Sequence, residues 1–289
     1  HIGGGFGAKN DFAPEARAAI ELAKLAKAPV AVIPNRPEEM ATGGMRPGGK
    51  TDFKMAISTQ DELLAIFLHG HNDSGVGIGH LQAGHAGFGY SGGARDFIDF
   101  DVVNNGAPGK AFRGPGGPGA FWAIEQAIDQ LAHDLQKDSI ALRRKWTENE
   151  QRLRLYDWVD QHEAYQNRPQ TNSQTGRIRK GLGVAFGQWI YLYDPATTIR
   201  LETSPNGFTI KTATQDIGNG VKTSLARIVA DTFGMSPEKV HIKVGNTNYP
   251  HGPGAAGSRV TVSIYAPTQE ASTIMRDRLF GLVAEEYDL

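Results

Sequence analysis

The sequence predicts an α+β fold of two mixed subdomains that meet across a cleft. Both halves of the 289-residue chain combine the alternation of apolar residues that is typical of strands with the three- and four-residue spacing that is typical of helices. A polar stretch at residues 166–176, rich in Asn, Gln, Ser and Thr around one proline, separates the halves. We therefore predict a first subdomain at residues 1–168 and a second at residues 177–289.

Composition excludes several classes of protein. Thirty basic and thirty-one acidic side chains leave the chain near neutrality, and no basic stripe interleaved with aromatic residues indicates a nucleic-acid partner. No apolar run approaches the roughly 20 residues that a membrane span needs. The chain has no cysteine, which excludes disulfides and thiolate-bound iron–sulfur clusters within it. Cytoplasm and periplasm both remain open as its location.

The first subdomain begins with a helix. Pro14 at a first helical position, followed by strong helix formers, predicts a helix to Ala26. Residues 30–33 form an apolar run suited to a buried strand, and residues 35–49 are a loop rich in proline and glycine. The apolar residues of the helix that are available for burial are Ile20, Leu22 and Leu25.

A sheet is predicted next. Alternation at residues 53–57 and 64–68 indicates two strands of one antiparallel sheet, and residues 97–103 form a further strand. Residues 70–93 are rich in glycine and histidine without a sustained period, so we expect them to be irregular. We interpret the histidines of this region as solvated loop residues rather than metal ligands, because their spacing is irregular: His69, His71, His80 and His85.

Helices close the first subdomain. Apolar residues recur at spacings of three and four over residues 121–135, which predicts an amphipathic helix. Asp138 is a good N-cap for a second helix that begins near Ser139. A third helix, charged and aromatic, is predicted at residues 148–165.

The second subdomain is predicted as a strand, a hairpin, a helix, a strand and a helix. The dipeptide Asn206-Gly207 between two alternating runs is a strong hairpin signal. Gly234 closes the first helix. The predicted elements cover residues 183–193, 199–203 with 208–212, 221–233, 240–244 and a stretch from about residue 263.

Four glycine-rich loops could hold a ligand. Three of them lead into helical patterns and can offer free amides and a positive helix end to an anion. For any one of them, a tight turn between packed elements is the favoured interpretation, but four in one chain favour a ligand site. A nucleotide-binding P-loop is disfavoured, because Ala8 and Asn10 stand where that motif needs Gly and Ser or Thr. The loops read GGGFGAK at residues 3–9, FRGPGGPG at 112–119, QDIGNG at 215–220 and GPGAAGSR at 252–259.

The ordered set of loops resembles the molybdenum-binding subunit of the xanthine dehydrogenase and aldehyde oxidase family. EQAIDQLA at residues 125–132 and IVAD at residues 228–231 add to the resemblance, which extends over essentially the whole chain. It implies an internal fragment of that subunit, with two mixed molybdopterin-binding subdomains on either side of a cofactor cleft.

The resemblance also implies the residues of the site. Residues 5–7 would lie beside the oxo face of the metal, residues 218 and 219 near the pterin phosphate, and residues 255–259 over the far end of the cofactor. Arg113 would border the dithiolene and the substrate, and it is the candidate catalytic residue because it can steady an oxyanion. No side chain would bind the metal directly. The implied cofactor-binding residues are Gly5, Phe6, Gly7, Phe112, Arg113, Gly114, Gly218, Asn219, Ala255, Ala256, Gly257, Ser258 and Arg259.

The implied reaction is hydroxylation of an aldehyde or N-heterocycle with oxygen from water. The resemblance implies a molybdopterin, in the cytosine dinucleotide form common in bacterial relatives, with iron–sulfur clusters and FAD on other domains or subunits. The family's general-base glutamate has no matching motif here, and neither Glu285 nor Glu286 replaces it. We therefore expect this chain alone to be catalytically incomplete. Two alternatives remain: a non-catalytic structural or assembly fragment without cofactor, and a nucleotide-binding domain.

Overall fold

A computed structural model describes residues 3–77 and 82–288. Spatial contacts divide the chain into two units. The first unit is Ala13–Trp189, and the second comprises the residues up to Phe12 with those from Ile190 onward. Each unit combines a three-stranded sheet with helices, which confirms the predicted α+β class. The bounds 1–168 and 177–289 remain a prediction for the subdomains.

The first unit is organised around a sheet in the order β1-β2-β3. β1 and β2 are antiparallel, as predicted, and β2 and β3 are parallel. The elements of the unit are α1 (Pro14–Ala26), α2 (Arg36–Thr42), β1 (Gly49–Ile57), β2 (Leu63–Gly75), α3 (Gln82–Ala86), β3 (Ala94–Val103), α4 (Gly117–Asp134), α5 (Ser139–Lys145), α6 (Glu150–Gln161) and α7 (Glu163–Gln166).

Burial of one face of the sheet fixes the position of α4. Side chains along β2 alternate between buried and partly exposed, as the two-residue period of a strand requires. The fully buried Ile66 and Leu68 of β2 share one apolar cluster with Ile124 and Ile128 of α4. Each such side chain stabilises the unit by about 1.5–3 kcal/mol, so the N-terminus of α4 is held firmly beside the loop that precedes it.

Helix caps follow local sequence signals. Asp138 accepts hydrogen bonds from the N–H groups of Ile140 and Ala141, which confirms the predicted cap of α5. The segment predicted as a loop at residues 35–49 instead contains α2. Its signal is a capping box, in which Asn35 and Glu38 each accept a hydrogen bond from the other's backbone N–H.

Other predictions for the first unit are wrong. Residues 30–33 form no strand within the described chain, because an apolar run does not specify a ladder partner. β2 continues to Gly75 and α3 follows, so residues 70–93 are more regular than expected. The single helix expected at residues 148–165 is divided into α6 and α7 at His162, which ends one and caps the other. The apolar residues of α1 are exposed rather than buried, at 45%, 46% and 80% for Ile20, Leu22 and Leu25.

The second unit contains a sheet in the order β4-β5-β6. The predicted hairpin is confirmed, and the parallel pair of β5 and β6 is connected through α8. Gly220 and Gly234 flank α8 in the left-handed conformation. The strand predicted at residues 183–193 is absent from the described residues. The elements are β4 (Arg200–Ser204), β5 (Gly207–Thr212), α8 (Val221–Phe233), a 3-10 turn (Pro237–Lys239), β6 (Val240–Val244) and α9 (Val260–Tyr287).

The core of the second unit lies between the sheet and two helices. Ile210 of β5, Leu225 and Val229 of α8 and Ile264 of α9 are fully buried in one cluster. This packing sets the end of β5 and the start of α8, between which the loop at residues 215–220 lies. It also sets the start of α9, which follows the loop at residues 252–259. Among the described residues, no helix is both long and apolar enough to cross a membrane.

Candidate functional site

The loop at residues 112–116 leads into α4 in the first unit. Gly114 and Gly116 have φ angles of +75° and +74°, a region that favours glycine. The Gly117 N–H donates to the Gly114 carbonyl at 3.1 Å, which closes a turn just before the helix. Arg113 is exposed at this turn. The local sequence therefore produces a compact loop that projects an arginine from a helix N-terminus.

Arg46 holds this loop from the side and was not found from the sequence. Its guanidinium donates from Nη2 to the carbonyl of Arg113 at 2.7 Å and from Nη1 to the carbonyl of Gly114 at 3.3 Å. It also lies 5.3 Å from the centroid of the Phe112 ring. The two positions are 67 residues apart in sequence, so no local pattern connects them.

An aromatic pair lies beside Gly114 of the loop. The rings of His85 and Trp189 stack with centroids 4.9 Å apart and planes 8° from parallel. A Cβ placed on Gly114 would lie 3.9 Å from Trp189, so the loop and the indole are in van der Waals proximity. Trp189 lies within the segment at residues 183–193 that was predicted as a strand. That segment has no regular secondary structure, and its indole packs on His85 instead.

A buried charged cluster supports α4 from behind. Glu125, on α4, accepts hydrogen bonds from Tyr90 Oη at 2.5 Å, Arg143 Nε at 2.8 Å and the Phe186 N–H at 2.9 Å. Burial, with the charge of Glu125, raises the pKa of Tyr90 far above its usual range. Burial lowers the pKa of Arg143, but the charges of Glu125 and Asp129 more than offset it and raise that pKa overall. This cluster ties α4, α5 and the segment before Trp189 together.

The loop at residues 3–9 lies in the second unit. Phe6 has a φ of +51° and is 52% exposed. A non-glycine residue in this region stores strain of about 1–3 kcal/mol and is enriched at ligand sites. A Cβ placed on Gly5 would contact Ile217 at 3.5 Å, so this loop packs beside the loop at residues 215–220.

The loop at residues 252–259 joins the same group. Ala255 N–H donates to Gln215 Oε1 at 3.1 Å, and Thr214 Oγ1 donates to the Pro253 carbonyl at 2.8 Å. Ser258 is a second non-glycine residue in the left-handed region, at φ +53°. The structure thus brings together three of the four predicted loops within the second unit, whereas the fourth belongs to the first unit.

The second unit's loops fit an anionic ligand. The Nε atom of Arg259 is buried and has no hydrogen-bond partner among the described residues. A Cβ on Gly218 or Gly220 would meet nothing within 4 Å, so the backbone there faces open space. Asn219 is exposed between them. The Gly218 N–H already donates to Asp216 Oδ1 at 2.9 Å. The buried cationic donor and the N–H groups of Asn219 and Gly220 are the kinds of group that bind phosphate.

Another histidine anchors the start of this loop. His251 Nε2 lies 3.0 Å from Asp194 Oδ2, and this hydrogen bond lowers the pKa of Asp194. The Asp194 N–H also donates to Ser263 Oγ of α9 at 2.9 Å. Residues on both sides of the loop are thereby connected to the body of the unit.

The histidines of the first unit differ from the prediction of solvated loop residues. His69 and His71 lie on β2, and His85 is buried in α3 because the helix places it under Trp189. His80 lies outside the described residues. Within residues 3–77 and 82–288, no group of three or more His, Cys, Asp or Glu side chains could hold a metal ion.

Comparisons with known proteins agree with the resemblance that the sequence predicts. Two family profiles, each described as a molybdopterin cofactor-binding domain, match residues 1–147 and 153–289. The xanthine dehydrogenase molybdenum-binding subunit of Escherichia coli O157:H7 is 25% identical over 98% of this chain and 41% of its own length. The aldehyde oxidoreductase molybdenum-binding subunit of the same organism is 27% identical over 89% of this chain and 37% of its own length.

Solved structures show the same fold. The aldehyde oxidoreductase from Desulfovibrio desulfuricans superposes with a TM-score of 0.71 at 24% identity, over 94% of this chain and 33% of that chain. The chain spans 41% of the length of the xanthine dehydrogenase molybdenum-binding subunit.

Proposed function

The chain belongs to the molybdopterin cofactor-binding domain family, and on that premise we propose that it holds molybdopterin in a molybdenum hydroxylase. We propose that the complete enzyme oxidises an aldehyde or an N-heterocycle and takes the new oxygen from water. The observation that carries the proposal is the group of three glycine-rich loops in the second unit. In this group the Nε atom of Arg259 is buried and has no hydrogen-bond partner among the described residues.

Each loop has a distinct part in the proposal. Arg259 and the exposed N–H groups of Asn219 and Gly220 would bind the phosphate of the pterin, because a cationic side chain and backbone amides donate to anionic oxygens. Gly218, whose N–H donates to Asp216 Oδ1 at 2.9 Å, would lie beside them. Residues 5–7 would lie beside the metal centre. Arg113, exposed on its rigid loop, would orient the substrate carbonyl and stabilise the negative charge that develops on it. When bound, the molybdenum cofactor supplies the two-electron redox chemistry.

The relatives' names support the proposed substrate class and partners. One relative is named for xanthine, a purine, and another for aldehydes. Both are called molybdenum-binding subunits, which supports the proposal that iron–sulfur and FAD domains or subunits accept the electrons. The cytosine dinucleotide form of the pterin is part of the same proposal.

Cofactor retention tests this proposal directly. The chain is produced with the family's maturation machinery, and molybdenum and phosphorylated pterin are measured in the purified protein. We expect both to be retained in about equal amounts. A chain that retains neither would support the alternative of a non-catalytic structural or assembly fragment.

A variant pair locates the phosphate site. Arg259→Met should lower pterin retention, because it removes the buried cationic donor while keeping an unbranched side chain. Arg276→Met is the matched control, since the half-buried Arg276 of α9 pairs with its sequence neighbour Asp277 and lies outside the glycine-rich loops. Equal retention by both variants would remove Arg259 from the site.

A further inference from the structure

We propose that Arg46 is a positioning residue, which fixes the conformation of the Arg113 loop and presents the Gly114 N–H as an oriented donor. The ligand side of this inference rests on the proposed function. The conformational side depends only on contacts within the first unit. Arg46 is distinct from the residues that the sequence pointed to, and its side chain contacts the loop backbone rather than the open face of the loop.

One side chain contacts three consecutive residues of the loop. Arg46 donates to the carbonyls of Arg113 and Gly114, at 2.7 and 3.3 Å, and its guanidinium lies over the Phe112 ring. A planar guanidinium can bond two carbonyls and stack on a ring at the same time, whereas an ammonium group cannot. The contacts therefore require arginine and not merely a positive charge.

The direction of the carbonyls sets the direction of the amide. In a trans peptide the C=O and the following N–H point in opposite directions. Because the Arg113 carbonyl is directed at Arg46, the Gly114 N–H points away from it, toward the opposite side of the loop. An orientation that is fixed before a ligand arrives is what an anion-stabilising donor needs.

The loop depends on an external contact for this conformation. Gly114 and Gly116 adopt positive φ, and glycine has many other conformations available. Pro115 has no N–H to contribute. The Gly117 N–H and Arg46 Nη1 donate to the same Gly114 carbonyl, so both contacts restrict its direction.

The backbone around Arg46 is itself anchored beside the loop. Met45 pairs with Gly109 in an isolated parallel bridge. The Met45 N–H donates to the Pro108 carbonyl at 3.0 Å, and the Lys110 N–H donates to the Met45 carbonyl at 2.9 Å. The backbone next to Arg46 is therefore hydrogen-bonded to residues 108–110, which lead into the loop. These bonds hold Arg46 close to the loop.

Hydrogen exchange of the cofactor-free chain tests the conformational part. We expect Arg46→Ala to accelerate exchange in peptides that cover residues 111–120 by about tenfold, the change that loss of a contact worth about 1.4 kcal/mol produces. Exchange within the interior of α4 should stay unchanged. Arg46→Lys should show a smaller acceleration, and Arg276→Ala should show none. Unchanged loop exchange in Arg46→Ala overturns the proposal, and if that variant does not fold, unchanged exchange in Arg46→Lys does so.

Molybdenum content tests the ligand part. In protein produced with the maturation machinery, Arg46→Ala should retain about threefold less molybdenum than the unaltered chain, and Arg46→Lys should be intermediate. Arg276→Ala should match the unaltered chain. If Arg46→Ala retained molybdenum fully while its loop exchanged faster, the presentation of Gly114 as a cofactor donor would be wrong. If the unaltered chain retained none, the proposed function would fail, and loop exchange would still decide the role of Arg46.

Discussion

Arg113 and Glu125 illustrate opposite roles for a charged residue. Arg113 is exposed on a loop whose backbone is held by another arginine. Glu125 is almost fully buried and accepts three hydrogen bonds inside the first unit. The first arrangement leaves a charge free to act on a ligand, and the second uses a charge to connect α4 to its neighbours.

Substitution of Arg113 is expected to affect turnover rather than cofactor content. In the complete subunit, Arg113→Ala should lower kcat at least about tenfold, because it removes a donor that stabilises developing charge. Molybdenum content should change little, since the loop carbonyls stay bonded to Arg46. Arg200→Ala, on the exposed edge of β4, is the control. Steady-state kinetics with an aldehyde that showed no change would exclude Arg113 from the reaction.

Removal of the Glu125 charge is expected to destabilise the first unit. Glu125→Gln leaves Arg143 buried without its nearest full countercharge, which costs about 3–5 kcal/mol when one partner of a buried pair is removed. Urea unfolding followed by circular dichroism measures the loss. Glu285→Gln, at the exposed end of α9, should change the free energy of unfolding by less than about 0.5 kcal/mol. A loss below about 1 kcal/mol for Glu125→Gln would show that the cluster is not needed for stability.

At the level of elements, the end of β5 packs tightly against the loop at residues 252–259. A Cβ on Gly252 would lie 2.5 Å from both Thr212 Oγ1 and the backbone nitrogen of Thr214, whereas a Cβ on Gly254 would meet nothing within 4 Å. Neither glycine has a positive φ. The two positions therefore differ in packing but not in backbone strain.

This difference makes the two glycines a matched pair. Gly252→Ala should lower the free energy of unfolding by about 1–3 kcal/mol, because the methyl group has no room. Gly254→Ala should leave it within about 0.5 kcal/mol. Thermal unfolding of both variants measures the contrast, and equal effects would mean that the loop can move away from β5 at little cost.

Asp138 connects the start of α5 with α7. Besides capping α5, its carboxylate accepts hydrogen bonds from Tyr165 Oη at 2.9 Å and Arg168 Nη2 at 2.8 Å. Burial raises the pKa of Asp138, but the backbone N–H of Ala141 and these partners outweigh it and lower the pKa overall. Burial and the bond to Asp138 raise the pKa of Tyr165 to about 12.

The pH dependence of stability tests the role of Asp138. A carboxyl group whose pKa is lowered by folding stabilises the protein above its unfolded pKa of about 3.9, and this contribution is lost as pH falls through the lower folded value. Asp138→Ala should cost about 1–2 kcal/mol at pH 7. The difference in the free energy of unfolding between Asp138→Ala and the unaltered chain should shrink below about pH 4. Asp138→Asn keeps a capping oxygen, so it should recover part of the lost stability without the pH dependence. If the stability loss of Asp138→Ala were the same at every pH, the charge of Asp138 would have no role.

At the scale of the whole molecule, the chain covers 41% of the length of the similar xanthine dehydrogenase molybdenum-binding subunit. We expect the 289-residue chain, even when it retains molybdenum, to show no turnover of aldehydes, because no motif for the family's general base was found in it. The complete subunit should be active under the same conditions. A dye-reduction assay with both proteins makes the comparison, and turnover by the chain alone would show that it contains a sufficient site.

Local sequence signals determined much of the fold. The Asn206-Gly207 turn, the Asp138 cap and the periodic apolar residues of α4 and α8 each act over a few residues, so their outcome could be predicted without tertiary contacts. The ordered glycine motifs likewise indicated the family. The runs at residues 30–33 and 183–193 could not be assigned in this way, because a strand exists only where another strand offers hydrogen bonds.

Tertiary structure decided which side chains serve the loops. The contact of Arg46 with Arg113 spans 67 positions, and the stacking of His85 on Trp189 depends on the packing of α3 against a segment without regular secondary structure. The sequence by itself determined the loop chemistry, since glycine, proline and arginine have local conformational and charge properties. Only the folded chain could decide what holds those loops in place, because long-range packing brings together residues that no local pattern relates.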